Sequence, residues 1–155
     1  LKEFTRLRHL EISRVSCEFT GTGMAYLSNL PLTYLNLARC CNSAITNTNT
    51  NTNSSWLSAL GNLEKLEHLD LTGLNITDEV VSGFSQKLKL LKWLSLAYCK
   101  KITVKCLWDL EKLPKLKYLD VTRMDISKED LQVLRQTSAV VTTNGVFQKD
   151  TFEQH

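Results

Sequence analysis

One spacing constrains this chain more than any other property. The pattern Leu-x-x-Leu-x-(Leu/Ile/Val) occurs five times, at Leu7-Leu10-Ile12, Leu32-Leu35-Leu37, Leu66-Leu69-Leu71, Leu91-Leu94-Leu96 and Leu116-Leu119-Val121. The first leucines are 25, 34, 25 and 25 residues apart. Composition alone does not produce three equal intervals, even in a chain where 27 of 155 residues are Leu. The long interval exceeds the others by nine residues and contains a strict Thr/Asn alternation from Thr46 to Asn53. Removing about nine residues of that tract restores the period.

Each unit reads the same way. Leu-x-Leu is a short strand with alternating faces. A polar helix cap follows: Thr77-Asp78, Thr103 or Ser127. Ser127-Lys128-Glu129-Asp130 sets a carboxylate three residues after its cap, close to a capping box. An amphipathic stretch comes next, such as Glu79–Phe84 or Val104–Leu110. A strand and a helix recurring at this period define an α/β solenoid, because one unit cannot bury its own leucines and stacked units share a core. Strands form a parallel sheet on the concave side, and helices cover the convex side. One domain spans 1–146, with repeats starting near 7, 32, 66, 91 and 116, a low-complexity insert at 42–55, and a tail at 147–155. Ala139–Thr143 reads as a final irregular strand, and Asn144-Gly145 as a turn.

These units resemble leucine-rich repeats, and more narrowly the cysteine-containing subtype of F-box proteins, Leu-x-x-Leu-x-Leu-x-x-Cys-x-x-Ile-Thr followed by a helix. Residues Leu91 to Thr103 match that pattern throughout, with Cys99 in the cysteine slot. Cys40 fills the slot in the second unit, while Val15, Leu74 and Met124 fill it elsewhere. The resemblance implies a right-handed solenoid that binds other proteins. It also implies the substrate-receptor part of a ubiquitin ligase, or alternatively a structural or assembly subunit of a larger complex, mitochondrial in some resembling proteins. The compartment it implies is intracellular, cytoplasmic or nuclear, with the mitochondrion as the alternative.

Composition narrows the classes. With 43% hydrophobic residues the chain is not disordered. No apolar run approaches the ~18 residues of a membrane-spanning helix. The five cysteines, an odd number, have no C-x-x-C pair, so neither a disulfide framework nor zinc-ligand spacing is indicated. Cys40 and Cys99 read as small buried hydrophobes, and Cys106 as a partly exposed helix residue. A net charge of +3 does not by itself imply nucleic acid. Gly21-Thr22-Gly23 lacks the lysine of a phosphate loop, and His9, His68 and His155 form no triad, so no enzyme, cofactor or metal is expected.

In the repeat register the third, fifth, seventh and eighth positions face solvent and stack into columns. The third reads His9, Tyr34, His68, Trp93, Tyr118; the fifth Glu11, Asn36, Asp70, Ser95, Asp120; the seventh Ser13, Ala38, Thr72, Ala97, Thr122. The eighth reads Arg14, Arg39, Gly73, Tyr98, Arg123. An aromatic stripe beside acidic and arginine columns suits a protein partner, because exposed Tyr, Trp and Arg are enriched at interface hot spots. The candidate partner-binding residues are His9, Tyr34, His68, Trp93, Tyr118, Tyr98, Arg39, Arg123, Asp70 and Asp120, with Trp93 and Tyr98 foremost. Ring-on-ring stacking along the sheet is the competing explanation. Five strands about 4.8 Å apart offer on the order of 400 Å², half of what one partner of a stable complex contributes.

Lysines cluster between Lys87 and Lys117, where nine Lys face Asp109 and Glu111. Lys87, Lys89, Lys112 and Lys115 form a candidate basic rim for an anionic ligand. At the other end, the edge of the first repeat should be covered by further repeats or a partner.

Overall fold

A computed structural model describes residues 5–15, 25–40, 59–134, 140–143 and 146–147. The Thr/Asn insert, Cys17, Cys41, Gly21–Gly23, the Asn144-Gly145 turn and the residues after 147 lie outside the described residues.

The five leucine motifs become five three-residue strands: β1 (His9–Glu11), β2 (Tyr34–Asn36), β3 (His68–Asp70), β4 (Trp93–Ser95) and β5 (Tyr118–Asp120). They pair in parallel in chain order, followed by parallel β6 (Val140–Thr143) and antiparallel β7 (Val146–Phe147). The register joins equivalent positions: His9 to Tyr34, Tyr34 to His68, His68 to Trp93, Trp93 to Tyr118.

The central motif leucines face one side of the sheet, and those of β2 to β5 are shut off from water. Leu35, Leu69 and Leu94 are 0% exposed, and Leu119 is 1% exposed. Each such leucine contributes roughly 1.5–3 kcal/mol by leaving water. The fold is thus an α/β leucine-rich-repeat-like arrangement, with one core running from unit to unit.

The covering segments differ, and their apolar spacing says why. In α1 (Asp78–Ser85) the buried residues are Val80, Val81 and Phe84, with Leu88 beyond, a spacing that suits 3.6 residues per turn. The next unit buries Leu107, Leu110 and Leu113, one residue in three. That period fits a 3₁₀-helix, and the segment Val104–Lys112 (η1) is one, where the sequence suggests a plain amphipathic helix. Cys106 is 1% exposed, which corrects its assignment as partly exposed: it precedes Leu107 on the inward face of η1.

The expected caps serve unequally. Thr103 accepts from the Lys105 N–H at 3.3 Å. Ser127 accepts from the Asp130 N–H at 3.1 Å ahead of α2 (Lys128–Leu134), and its hydroxyl donates to the Asp130 carboxylate at 2.6 Å. Thr77 occupies the N-cap of α1 but makes no side-chain cap bond. Asp78 instead bridges forward, accepting from the Thr103 N–H at 2.7 Å and its hydroxyl at 2.6 Å. Ser82 of α1 donates to Asp109 of η1, a second bond between neighbouring units.

Candidate functional site

The face of the sheet opposite the core carries the columns foreseen from the register. Rings of the third position lie flat on one another: His9 on Tyr34 at 3.9 Å, Tyr34 on His68 at 4.2 Å, His68 on Trp93 at 4.0 Å. Interplanar angles are 7°, 13° and 7°. Both faces of Tyr34 and His68 are therefore occupied by neighbours. Among the described residues the stacking stops at Trp93, and Tyr118 in the next strand stays 49% exposed. Burial between two rings holds His68 below its ordinary value; Asp70 opposes this shift, and the charge of His9 adds to it.

The fifth column points back to its own backbone. Asn36, Asp70 and Asp120 each accept from the N–H two residues on, at Ala38, Thr72 and Thr122, all at 2.9 Å. This is the Asx-turn geometry that lets a strand turn into a loop. Asp70 and Asp120 thus have a structural task alongside any partner contact. Ser95 and Ala97, expected to face solvent, are buried. Ser95 exchanges a hydrogen bond with Thr72 at 2.8 Å and donates to Asp120 at 3.5 Å, so longer neighbours close over the fourth strand.

The eighth column has a property the sequence alone does not display. Its backbone is left-handed in every unit: φ is 56° at Arg14, 55° at Arg39, 71° at Gly73, 60° at Tyr98 and 62° at Arg123. The N–H groups of Arg14, Arg39, Gly73 and Tyr98 donate to the next unit's seventh-position carbonyl at 2.7–2.9 Å, so the ladder continues past the strands. Only glycine adopts this conformation freely; another residue costs about 1–2 kcal/mol. Gly73 in this column was the one visible signal. Arg39 leans past it, with Cγ 3.4 Å from where a Gly73 Cβ would sit, an ordinary contact distance. The Arg39 guanidinium then lies 5.8 Å from the ring centre of Tyr98, two units along. Arg39, Tyr98 and Arg123 are all exposed, Tyr98 by 42%.

The lysine rim falls on the opposite edge, where chains enter the strands. Lys89 donates to the Lys112 carbonyl at 2.7 Å and to that of Ser85 at 3.3 Å, and Lys112 pairs with Asp109. The contacts of Lys112 and Ser82 hold the Asp109 carboxyl below its ordinary value. Lys87 lays its stem over Gly61, and Lys115 is exposed. Two of the four ammonium groups are therefore engaged, that of Lys89 by helix-end carbonyls and that of Lys112 by a carboxylate.

Both slot cysteines do the same work. Cys40 donates its S–H to the Ile12 carbonyl, and Cys99 to the Leu71 carbonyl at 3.1 Å. Each bond ties a unit to the last strand-side residue of the unit before it. Burial pushes the Cys99 thiol up to about 12, and the Cys106 thiol is pushed up also, by burial and then by nearby Asp78. Among the described residues no cluster of three His, Cys, Asp or Glu is placed to hold a metal ion, and no helix is long and apolar enough to cross a membrane.

No family model and no curated protein matches the sequence. Solved structures that match the chain include an internalin (inlF) from Listeria monocytogenes, 19% identical with a TM-score of 0.43, covering 90% of this chain and 48% of that one. An internalin C2 (inlC2) from the same organism is 19% identical with a TM-score of 0.37, covering 90% of this chain and 72% of that one. The chain thus spans about half the length of the first of these structures.

Proposed function

We propose that the chain is a right-handed leucine-rich-repeat solenoid of about five repeats that binds another protein on its concave sheet face, without catalysis. The handedness follows the general rule for parallel crossovers. One observation carries the functional reading: Tyr98 and Tyr118 remain 42% and 49% exposed beside exposed Arg39 and Arg123, although the other rings of the stripe are stacked. Half-exposed tyrosines flanked by arginines have the composition of an interface centre. The test is capture of a partner from lysate of the source cells by the tagged chain. Tyr98→Ala with Tyr118→Ala should abolish capture, while Trp108→Ala, 56% exposed on η1, should leave it intact. Capture that survives the tyrosine pair defeats the reading.

The narrower role of substrate receptor in a ubiquitin ligase rests on the cysteine-slot resemblance of Cys40 and Cys99. Co-purification with a ligase scaffold subunit would support it; a purified complex without ligase components would set it aside. A structural-subunit reading has its own support: Leu7, Leu10 and Ile12 are only partly buried, while Leu32, Leu35 and Leu37 are fully so. A further repeat or a partner lying over β1 would complete that burial. It predicts self-association of the isolated chain, which sedimentation would detect and Leu10→Lys would abolish.

A further inference from the structure

We propose that the left-handed loop row Arg14, Arg39, Tyr98 and Arg123 is a docking rim for an acidic segment of the partner protein. This rests on the concave-face reading and names the chemistry of the partner.

The first ground is the mismatch between residue type and backbone. The eighth position demands φ near +60°, and Gly73 shows that glycine fills it. Three arginines and a tyrosine stand there instead. All four are exposed, and none belongs to the core. Backbone strain held by exposed side chains outside the core points to use rather than to stability. Among the described residues the salt bridges are Lys92–Glu67 and Lys112–Asp109, so no arginine of the row is neutralised there.

The second ground is aim. Arg39 crosses the gap at Gly73 and presents its guanidinium to Tyr98. Arg123 starts one hydrogen-bonded step beyond Tyr98, about 4.8 Å along the ladder. A guanidinium 5.8 Å from a ring centre still has N–H donors for a carboxylate, which it can grip in two parallel bonds. Nearby cations extend the row: Lys100 and Lys101 are exposed in the same loop layer, against Asp125. Of the acids on the strands, Asp70 and Asp120 each turn one oxygen back onto the chain, and Glu11 accepts from the Ser13 hydroxyl at 3.2 Å.

The third ground separates protein from nucleic acid. A single-strand binder offers open ring faces for bases. Here the faces of Tyr34 and His68 are taken by their neighbours. What stays open is a row of arginines with two tyrosines, Tyr98 and Tyr118, too few rings for a run of stacked bases, and guanidinium donors suit carboxylates.

The probe is fluorescein-labelled hexaglutamate, titrated with the full chain and read by fluorescence anisotropy. Arg39→Ala with Arg123→Ala should weaken binding about tenfold, the order set by two lost charge-assisted contacts at exposed sites. Lys87→Ala with Lys115→Ala removes equal charge from the opposite edge and should change it less than about twofold. Circular dichroism confirms that each variant is folded. Equal losses in the two double variants would reduce the effect to net charge and overturn the proposal. Tighter binding of oligothymidylate or of phosphatidylserine vesicles than of hexaglutamate would overturn it as well. If hexaglutamate ignores the arginines while Tyr98→Ala with Tyr118→Ala still abolishes partner capture, the rim fails and the concave-face reading stands. If the arginines govern hexaglutamate and capture ignores the tyrosines, the concave-face reading fails by itself.

Discussion

Replacing Arg123 by glycine should make the protein more stable. Arg123 holds φ at 62°, is exposed, and lies outside the core. The left-handed backbone costs a side-chain-bearing residue about 1–2 kcal/mol. Glycine removes that cost but frees the unfolded chain, which returns about 0.4–1 kcal/mol. The net is a stabilisation of about 0.5–1 kcal/mol, or a rise in Tm of about 1–4 °C for a domain of this size. Urea denaturation followed by circular dichroism measures it, with Arg123→Ala as the control that deletes the side chain and keeps the strain. Gly73→Ala is the converse change and should lose about 1–2 kcal/mol, since φ there is 71°. If Arg123→Gly and Arg123→Ala melt together, or if the glycine variant is the weaker, the conformational argument is wrong. The same glycine variant should bind hexaglutamate less well, so stability and binding are expected to move in opposite directions.

Leu94→Ala, at a site 0% exposed between Leu69 and Leu119, should cost about 2–5 kcal/mol in urea denaturation; a cost below about 1 kcal/mol would deny that the leucine column is a shared core. Cys99, pushed up to about 12 by burial, should resist iodoacetamide in the native protein and react once urea opens the fold, as peptide mass spectrometry will show. Prompt native alkylation of Cys99 would contradict its place in the core. His68 is held below its ordinary value of 6.5, so the unfolded chain takes up the proton first. The stability that this difference contributes is present above that value and is lost as pH falls through it. His68→Phe, which preserves the ring stack, should therefore show a smaller drop in urea midpoint between about pH 7 and about pH 5; an unchanged drop would place the proton uptake elsewhere.

The leucines made the strands legible because one hydrogen-bonding register repeats in every unit, and a period is readable without knowing any contact. The caps at Thr103 and Ser127 were legible for the same reason: a hydroxyl meeting an N–H two or three residues on is a local event. The ring column was foreseen, and so were its two explanations. Stacking now accounts for His9, Tyr34, His68 and one face of Trp93, while Tyr118 of the same column and Tyr98 of the eighth column stay exposed. What stayed hidden depends on residues one or two units apart. The Arg39–Tyr98 contact reaches past Gly73 in the unit between, and the burial of Ser95 needs Thr72 and Asp120 on either side. The 3₁₀ form of η1 was written in the spacing Leu107, Leu110, Leu113, but only as a period of three beside a period of 3.6.

The pairing of β2 with β3 has a practical consequence. Tyr34 meets His68 in the same register that joins every other pair, although 34 residues separate them where 25 serve elsewhere. Closing a longer connection costs only about 0.6 kcal/mol per doubling of its length. That crossover is therefore an insertion port. A fluorophore tag, an epitope or a small folded module grafted between Thr46 and Asn53 should leave the strand register and the arginine rim in place, and would give the chain a reporter at a site where it already carries additional sequence.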